Sequence, residues 1–107
     1  MFDTEAIQQA AADRHYIHQH PELQYEEHGT AALVAQRLSA LGYEVKTGVA
    51  GTGVLATLDT GRAGAVISLR ADMDALPIEE ANDLSYRSEY SGKMHACGHD
   101  GHTATLL

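Results

Sequence analysis

A chain of 107 residues has room for one small domain or part of a larger one, which excludes a second independent core. Fifteen acidic against seven basic side chains give a formal charge of -8, which excludes a phosphate-neutralising surface for nucleic acid. Hydrophobic residues at 44% and charged residues at 21% exclude a disordered or fibrous chain.

No apolar run approaches the roughly eighteen residues of a membrane span, and the opening MFDTEAIQQAAADRH has neither the basic start nor the apolar stretch of a signal peptide. A cytoplasmic location is therefore expected. The spacing predicts a first helix over 4–19, where Ile7, Ala10, Ala11, Arg14, Tyr16, Ile17 and His18 give an imperfect 3.6-residue pattern that Pro21 ends. A second helix is predicted over 26–41, with Ala31, Leu33 or Val34, Leu38 and Leu41 on one face and Gly42 as its stop. Gly29 and Thr30 are poor helix formers, so its start is expected to slip by up to three residues.

Three strands are predicted next, YEVKTGV, GVLATLD and AVISLRAD, separated by AGTG and TGRAG. The first alternates like a half-exposed edge strand, and the third is a nearly continuous apolar run suited to a strand covered on both faces. Helices followed by strands imply an α/β layer structure. From residue 81 to 101 the chain is polar and irregular, a long connection of the kind that often carries function. HTATLL then begins a further helical pattern.

Two groups of residues could carry chemistry. Asp72-Met73-Asp74 follows the third predicted strand, and residues at i and i+2 point the same way, so both carboxylates can face one site; they are equally readable as loop caps. A calcium loop is excluded because Leu76 and Pro77 stand where an oxygen ligand and the turn glycine are required. Cys97 is the only cysteine, so it forms no internal disulfide. In an extended loop, Cys97 and His99 could converge on one metal ion, with His95, Asp100 and His102 crowding the same place. The other readings are an inert thiol among solvated histidines and a Cys-His nucleophile pair, which seldom forms from neighbours on one loop. A structural zinc site is weaker still without a second thiolate. His15, His18, His20 and His28 read as solvated or turn-packing side chains, because no carboxylate or thiol pattern accompanies them.

Taken together, YIHQHPELQYEEHGTAALVAQRLSALGYEV, GVLATL, ISLRADMDALPIEE and MHACGHDGHTATLL resemble the opening of the metal-dependent amidohydrolases of the M20 peptidase family. Within it they are similar to the hippurate, N-acyl-amino-acid and indole-acetyl-amino-acid hydrolases. The resemblance runs from residue 14 to 107, with motifs in order and at the family's spacing. It implies that residues 1–107 are the N-terminal portion of a zinc-peptidase-like α/β/α catalytic domain with a central mixed sheet, apparently truncated and without the dimerisation domain. It implies that Cys97 and His99 are two ligands of a dinuclear centre of zinc, manganese, cobalt or nickel. Asp72-Met73-Asp74 stands where related peptidases carry His-x-Asp, which makes Asp74 the supporting acidic residue of the site. Asp72 departs from the histidine ligand of the wider family and is assigned no metal bond. HQHPEL resembles a turn signature that carries no ligand.

The implied reaction is hydrolysis of the amide bond of an N-acyl amino acid or related small amide, with a glutamate as general base. That base and the remaining ligands belong to segments after CGHD that this sequence does not contain, so 107 residues alone are expected to be inactive and poorly stable or self-associating. The implied parent is a homo-oligomer, a dimer, acting on a small molecule whose acyl group and amino acid stay open. Two other classes stand beside this reading: a small metal-binding module using Cys97 and His99 without catalysis, and an interaction remnant that keeps the fold without the chemistry.

Overall fold

The computed structural model describes residues 3–107. Helix α1 spans Thr4–Gln19, the range the sequence predicts. The Asp3 carboxylate caps it, accepting from the Glu5 amide at 3.0 Å, and His20 closes it by donating its amide back to the Tyr16 and Ile17 carbonyls. Pro21 then directs the chain away.

Helix α2 spans His28–Ala40 and so starts two residues later than 26. Its own N-cap, Glu27, makes no side-chain cap bond. Glu22 supplies the cap from outside the helix, accepting from the amides of Gly29 and Thr30 and from the Thr30 hydroxyl. A carboxylate at that end also meets the positive pole of the helix dipole. Residues 23–27 are then left to turn, with Tyr25 at φ 63.

Strands β1, Glu44–Val49, and β2, Gly53–Thr57, form a two-stranded antiparallel sheet with Glu44 opposite Thr57 and Lys46 opposite Leu55. The register is irregular between Lys46 and Val49. A Cβ at position 53 would lie 2.5 Å from the Val49 carbonyl oxygen, so only glycine fits there. Helix α2 packs on both strands, while α1 packs on α3, His99–Leu106. Two isolated bridges knit the intervening chain together: Leu23 with Ala75, parallel, and Leu76 with Met94, antiparallel. They are the trace of mixed pairing beyond the hairpin.

Among the described residues only Ile17, Pro21, Val34, Ala75 and Ala104 are buried apolar side chains, against nine buried polar or charged ones. Polar pairing must therefore carry the interior, since an unpaired buried polar group costs about 1–3 kcal/mol. Arg37 of α2 donates to Asp13 of α1 at 2.7 Å, and the Thr52 hydroxyl in the hairpin turn donates to Glu27.

The third predicted strand is not formed. Residues 65–71 make no backbone pairing among the described residues, and Val66, Ile67 and Leu69 are 94%, 84% and 76% exposed. The apolar run reads as a covered strand because patterning reports what a segment can bury, and a strand also needs a neighbour to complete its ladder. That neighbour is absent from residues 3–107.

The exposure gives a direct test. Ile67→Lys is expected to leave unfolding free energy within about 0.5 kcal/mol of wild type, as for surface positions, while lowering self-association measured by light scattering. A loss of stability of several kcal/mol would show that the segment is packed.

Candidate metal centre

The centre is built where the extended residues 72–74 pass the start of α3. Gly98, at φ 89, turns the chain into the helix from the left-handed region, which favours glycine. His99 then lies in the first turn and His102 one turn on, an i, i+3 pair on one helix face with ring centroids 5.3 Å apart. Opposite them, Asp72 and Asp74 point the same way at i, i+2. The Thr103 hydroxyl donates to the Asp72 carbonyl at 2.8 Å and ties the two segments together.

Each aspartate takes one histidine. His99 Nδ1 donates to the Asp74 carboxylate at 2.9 Å and lies 3.0 Å from the Asp74 carbonyl oxygen. Both acceptors fix the Nδ1–H tautomer, so Nε2 is presented as a bare lone pair, the arrangement found in metal-binding histidines. His102 Nδ1 donates to Asp72 Oδ1 at 2.8 Å, and Asp72 Oδ2 lies 3.5 Å from His99 Nε2. The hydrogen bond from His102 holds the Asp72 carboxyl below its ordinary range, keeping it ionised at neutral pH.

The donor atoms of Asp72, His99 and His102 lie within 4.8 Å of one another. Two imidazoles and a carboxylate suit a divalent cation of the zinc, cobalt or nickel class. The donor set therefore fits a metal ion. The exposed, free thiol of Cys97 lies outside this group.

Three expectations need correction. Cys97 and His99 do not share an extended loop, because the left-handed turn at Gly98 puts His99 on a helix, where its neighbour on the same face is His102. Asp100 and His95 do not join the cluster that His102 joins. Asp100 points from the first turn of α3 toward α1, and His95 is buried with neither ring nitrogen bonded to protein. Burial pushes His95 down to about 4, so it is neutral at pH 7.

His18, read as solvated or turn-packing, is buried between two carboxylates. Its Nδ1 donates to Asp100 at 2.9 Å and its Nε2 to Glu80 at 2.9 Å, and both bonds together require the doubly protonated ring. Arg14 adds an ion pair to Asp100 at 3.4 Å. Burial pushes the Glu80 carboxyl up, but hydrogen bonds from His18, the Ser88 amide and Asn82 outweigh it and hold it at about 2. The partners lie 62 and 82 residues away from His18, beyond any local pattern. The available signal was its place beside Ile17 in the helical periodicity.

A family model described as peptidase family M20/M25/M40 matches residues 68–107, which include the whole cluster. The chain is 53% identical over 94 residues to a hippurate hydrolase of Campylobacter jejuni, covering 88% of this chain and 24% of that protein. It is 47% identical over 94 residues to an N-acyl-L-amino acid amidohydrolase of Geobacillus stearothermophilus, covering 88% of this chain and 25% of that one. A solved Bacillus subtilis structure, described as a dinuclear metal-binding peptidase of the M20 family, superposes with a TM-score of 0.90 at 38% identity, over 98% of this chain and 30% of that one. The chain thus spans about a quarter of the length of the curated relatives it matches.

The clamp makes stability depend on acid in a defined window. Glu80 drops from an ordinary 4.5 to about 2 on folding, so its contribution is complete above pH 4.5 and is lost as pH falls toward 2. Glu80→Gln is expected to cost about 3–5 kcal/mol at pH 7 by leaving a buried ion pair broken. In urea unfolding the gap to wild type should narrow between pH 4.5 and 2; a constant gap would count against the clamp.

Proposed function

The chain belongs to the M20 peptidase family, and from that footing we propose that it is the opening part of a catalytic domain. Its parent hydrolyses the amide bond of N-acyl amino acids or related small amides, using divalent metal ions. The observation that carries this reading is the 53% identity to a protein named hippurate hydrolase, over 94 residues that make up 88% of this chain. The name of the Geobacillus relative supports the same substrate class.

In this proposal His99 holds a metal ion through Nε2 and Cys97 is a second ligand. Asp74 is a positioning residue: it fixes the His99 tautomer and ring plane and raises the basicity of the ligating nitrogen. Asp72 places an ionised carboxylate beside that nitrogen, which lowers the electrostatic cost of a dication. The bound ion supplies Lewis acidity toward an acyl carbonyl and acidifies water. The general base, the remaining ligands and the dimerisation domain lie outside these 107 residues, and the 107-residue chain alone is inactive.

A protein containing this chain as its opening segment, purified with zinc, manganese, cobalt or nickel, is expected to release amino acid from N-benzoyl- or N-acetyl-amino acids. Asp74→Asn should lower that activity roughly 10- to 100-fold, the usual effect of removing a partner that orients a ligand. No release from any such substrate with any of these metals would sink the reading.

A further inference from the structure

Helix α3 has eight residues, about two turns, too few to hold a conformation or a bearing in water without anchors. Its buried face is Asp100, Thr103 and Ala104, of which only Ala104 is apolar, so apolar packing does little to fix how the helix is rotated about its axis. Asp100 supplies the directional contact of that face to α1. It accepts from His18 Nδ1 at 2.9 Å, and His18 is held from its other nitrogen by Glu80 at 2.9 Å. Successive residues leave a helix about 100° apart, so the direction of Asp100 sets that of its neighbour His99, which reaches Asp74. The same imidazole also backs the other end of the stretch that carries Cys97 and His99. His95, two residues before Cys97, is buried with its ring centroid 6.5 Å from that of His18.

We propose that His18 is a positioning residue for His99: the buried His18–Asp100 hydrogen bond sets the rotation of α3, and through it the contact of His99 with Asp74. This rests on the metal-dependent reading above for what His99 does and goes beyond it in giving a part to His18, a residue of a different helix. The imidazolium suits the task. With Asp100 on one nitrogen and Glu80 on the other, both bonds are charge-assisted and the ring is held in one orientation. A glutamine in its place donates from one nitrogen only and brings no charge, so one of the two buried carboxylates is left unmet. The charge of Asp100 is met by His18 and by Arg14 at 3.4 Å, which keeps that carboxylate on the α1 side of the helix and away from the side His99 faces. Loosening the bond does not take the centre apart, because the Thr103 hydroxyl still ties α3 to the Asp72 carbonyl. It frees the helix to rotate, so that His99 Nδ1 no longer has one fixed acceptor.

The test is the state of the His99 ring in the metal-free 107-residue chain, read by nitrogen–proton correlation of the imidazoles, with circular dichroism to compare the fold of each variant. Wild type is expected to show a hydrogen-bonded Nδ1–H on His99. In His18→Gln and in Asp100→Ala that signal is expected to be lost to exchange with water. Asp13→Asn, which breaks the buried pair of the same helix with Arg37, is expected to leave the signal in place and so separates positioning from a general loss of stability. Asp100→Ala leaves His18 and Glu80 as a charge-balanced pair and puts a good helix former into α3, so it keeps the test open if His18→Gln does not fold. A His99 signal retained in folded Asp100→Ala, lost equally in Asp13→Asn, or missing from wild type would each overturn the assignment. The spectra are recorded without metal, so these outcomes are independent of product release by the longer protein, which tests the hydrolase reading.

Discussion

His18 is buried between Asp100 and Glu80 at 2.9 Å on either side, and this imidazole ties together three distant parts of the chain. Glu80 lies in the long irregular connection, Asp100 in the first turn of α3, and His18 near the end of α1. With only five buried apolar side chains among the described residues, hydrophobic burial alone does not hold that connection in place. Charge balance does: two carboxylates face one imidazolium and the Arg14 guanidinium. Buried ion pairs add little net stability over apolar packing, but breaking one is costly, so the arrangement specifies a single docking of α3 on α1.

The candidate centre depends on that docking through one helical turn. Asp100 and His99 are consecutive residues whose side chains leave α3 in different directions, Asp100 into the clamp and His99 toward Asp74. Fixing one fixes the azimuth of the other. The acidic side of the centre is held separately, by the Thr103 hydroxyl on the Asp72 carbonyl and by the Leu23 and Leu76 bridges to the neighbouring residues 75 and 94. Two rigid supports thus meet at the aspartate–histidine contacts, which is how a site is kept in geometry without a large core beneath it.

Much of this was legible in the sequence where the cause is local. Both long helices follow from 3.6-residue periodicity and their breakers, Pro21 and Gly42, and the two hairpin strands from β-branched alternation around AGTG. The facing of Asp72 and Asp74 follows from strand geometry even though no strand forms there. What failed was mostly non-local. The run AVISLRA carries the pattern of a covered strand but no information about its partner. One miss was local: the extended-loop geometry read for Cys97 and His99 overlooked the left-handed turn that Gly98 permits, which puts His99 on a helix with His102 as its neighbour. His18 was misjudged because its two carboxylates sit 62 and 82 residues away, where spacing rules do not reach. The family resemblance covered these gaps for the fold, and for the site it named Cys97, His99 and Asp74, while His102 entered only as a residue crowding the same place.

The account's central claim is a division of labour among histidines: His18 is enclosed in the clamp with both nitrogens protonated, while His99 offers a bare Nε2 because Asp74 holds its Nδ1 proton. Long-range nitrogen–proton correlation spectra of the histidine rings, recorded before and after adding zinc, read those states directly. The account predicts two protonated nitrogens on His18, unmoved by zinc, and an Nδ1–H tautomer on His99 whose Nε2 resonance shifts on binding. A zinc-induced shift of His18, or an Nε2–H tautomer on His99 in the metal-free chain, would contradict it.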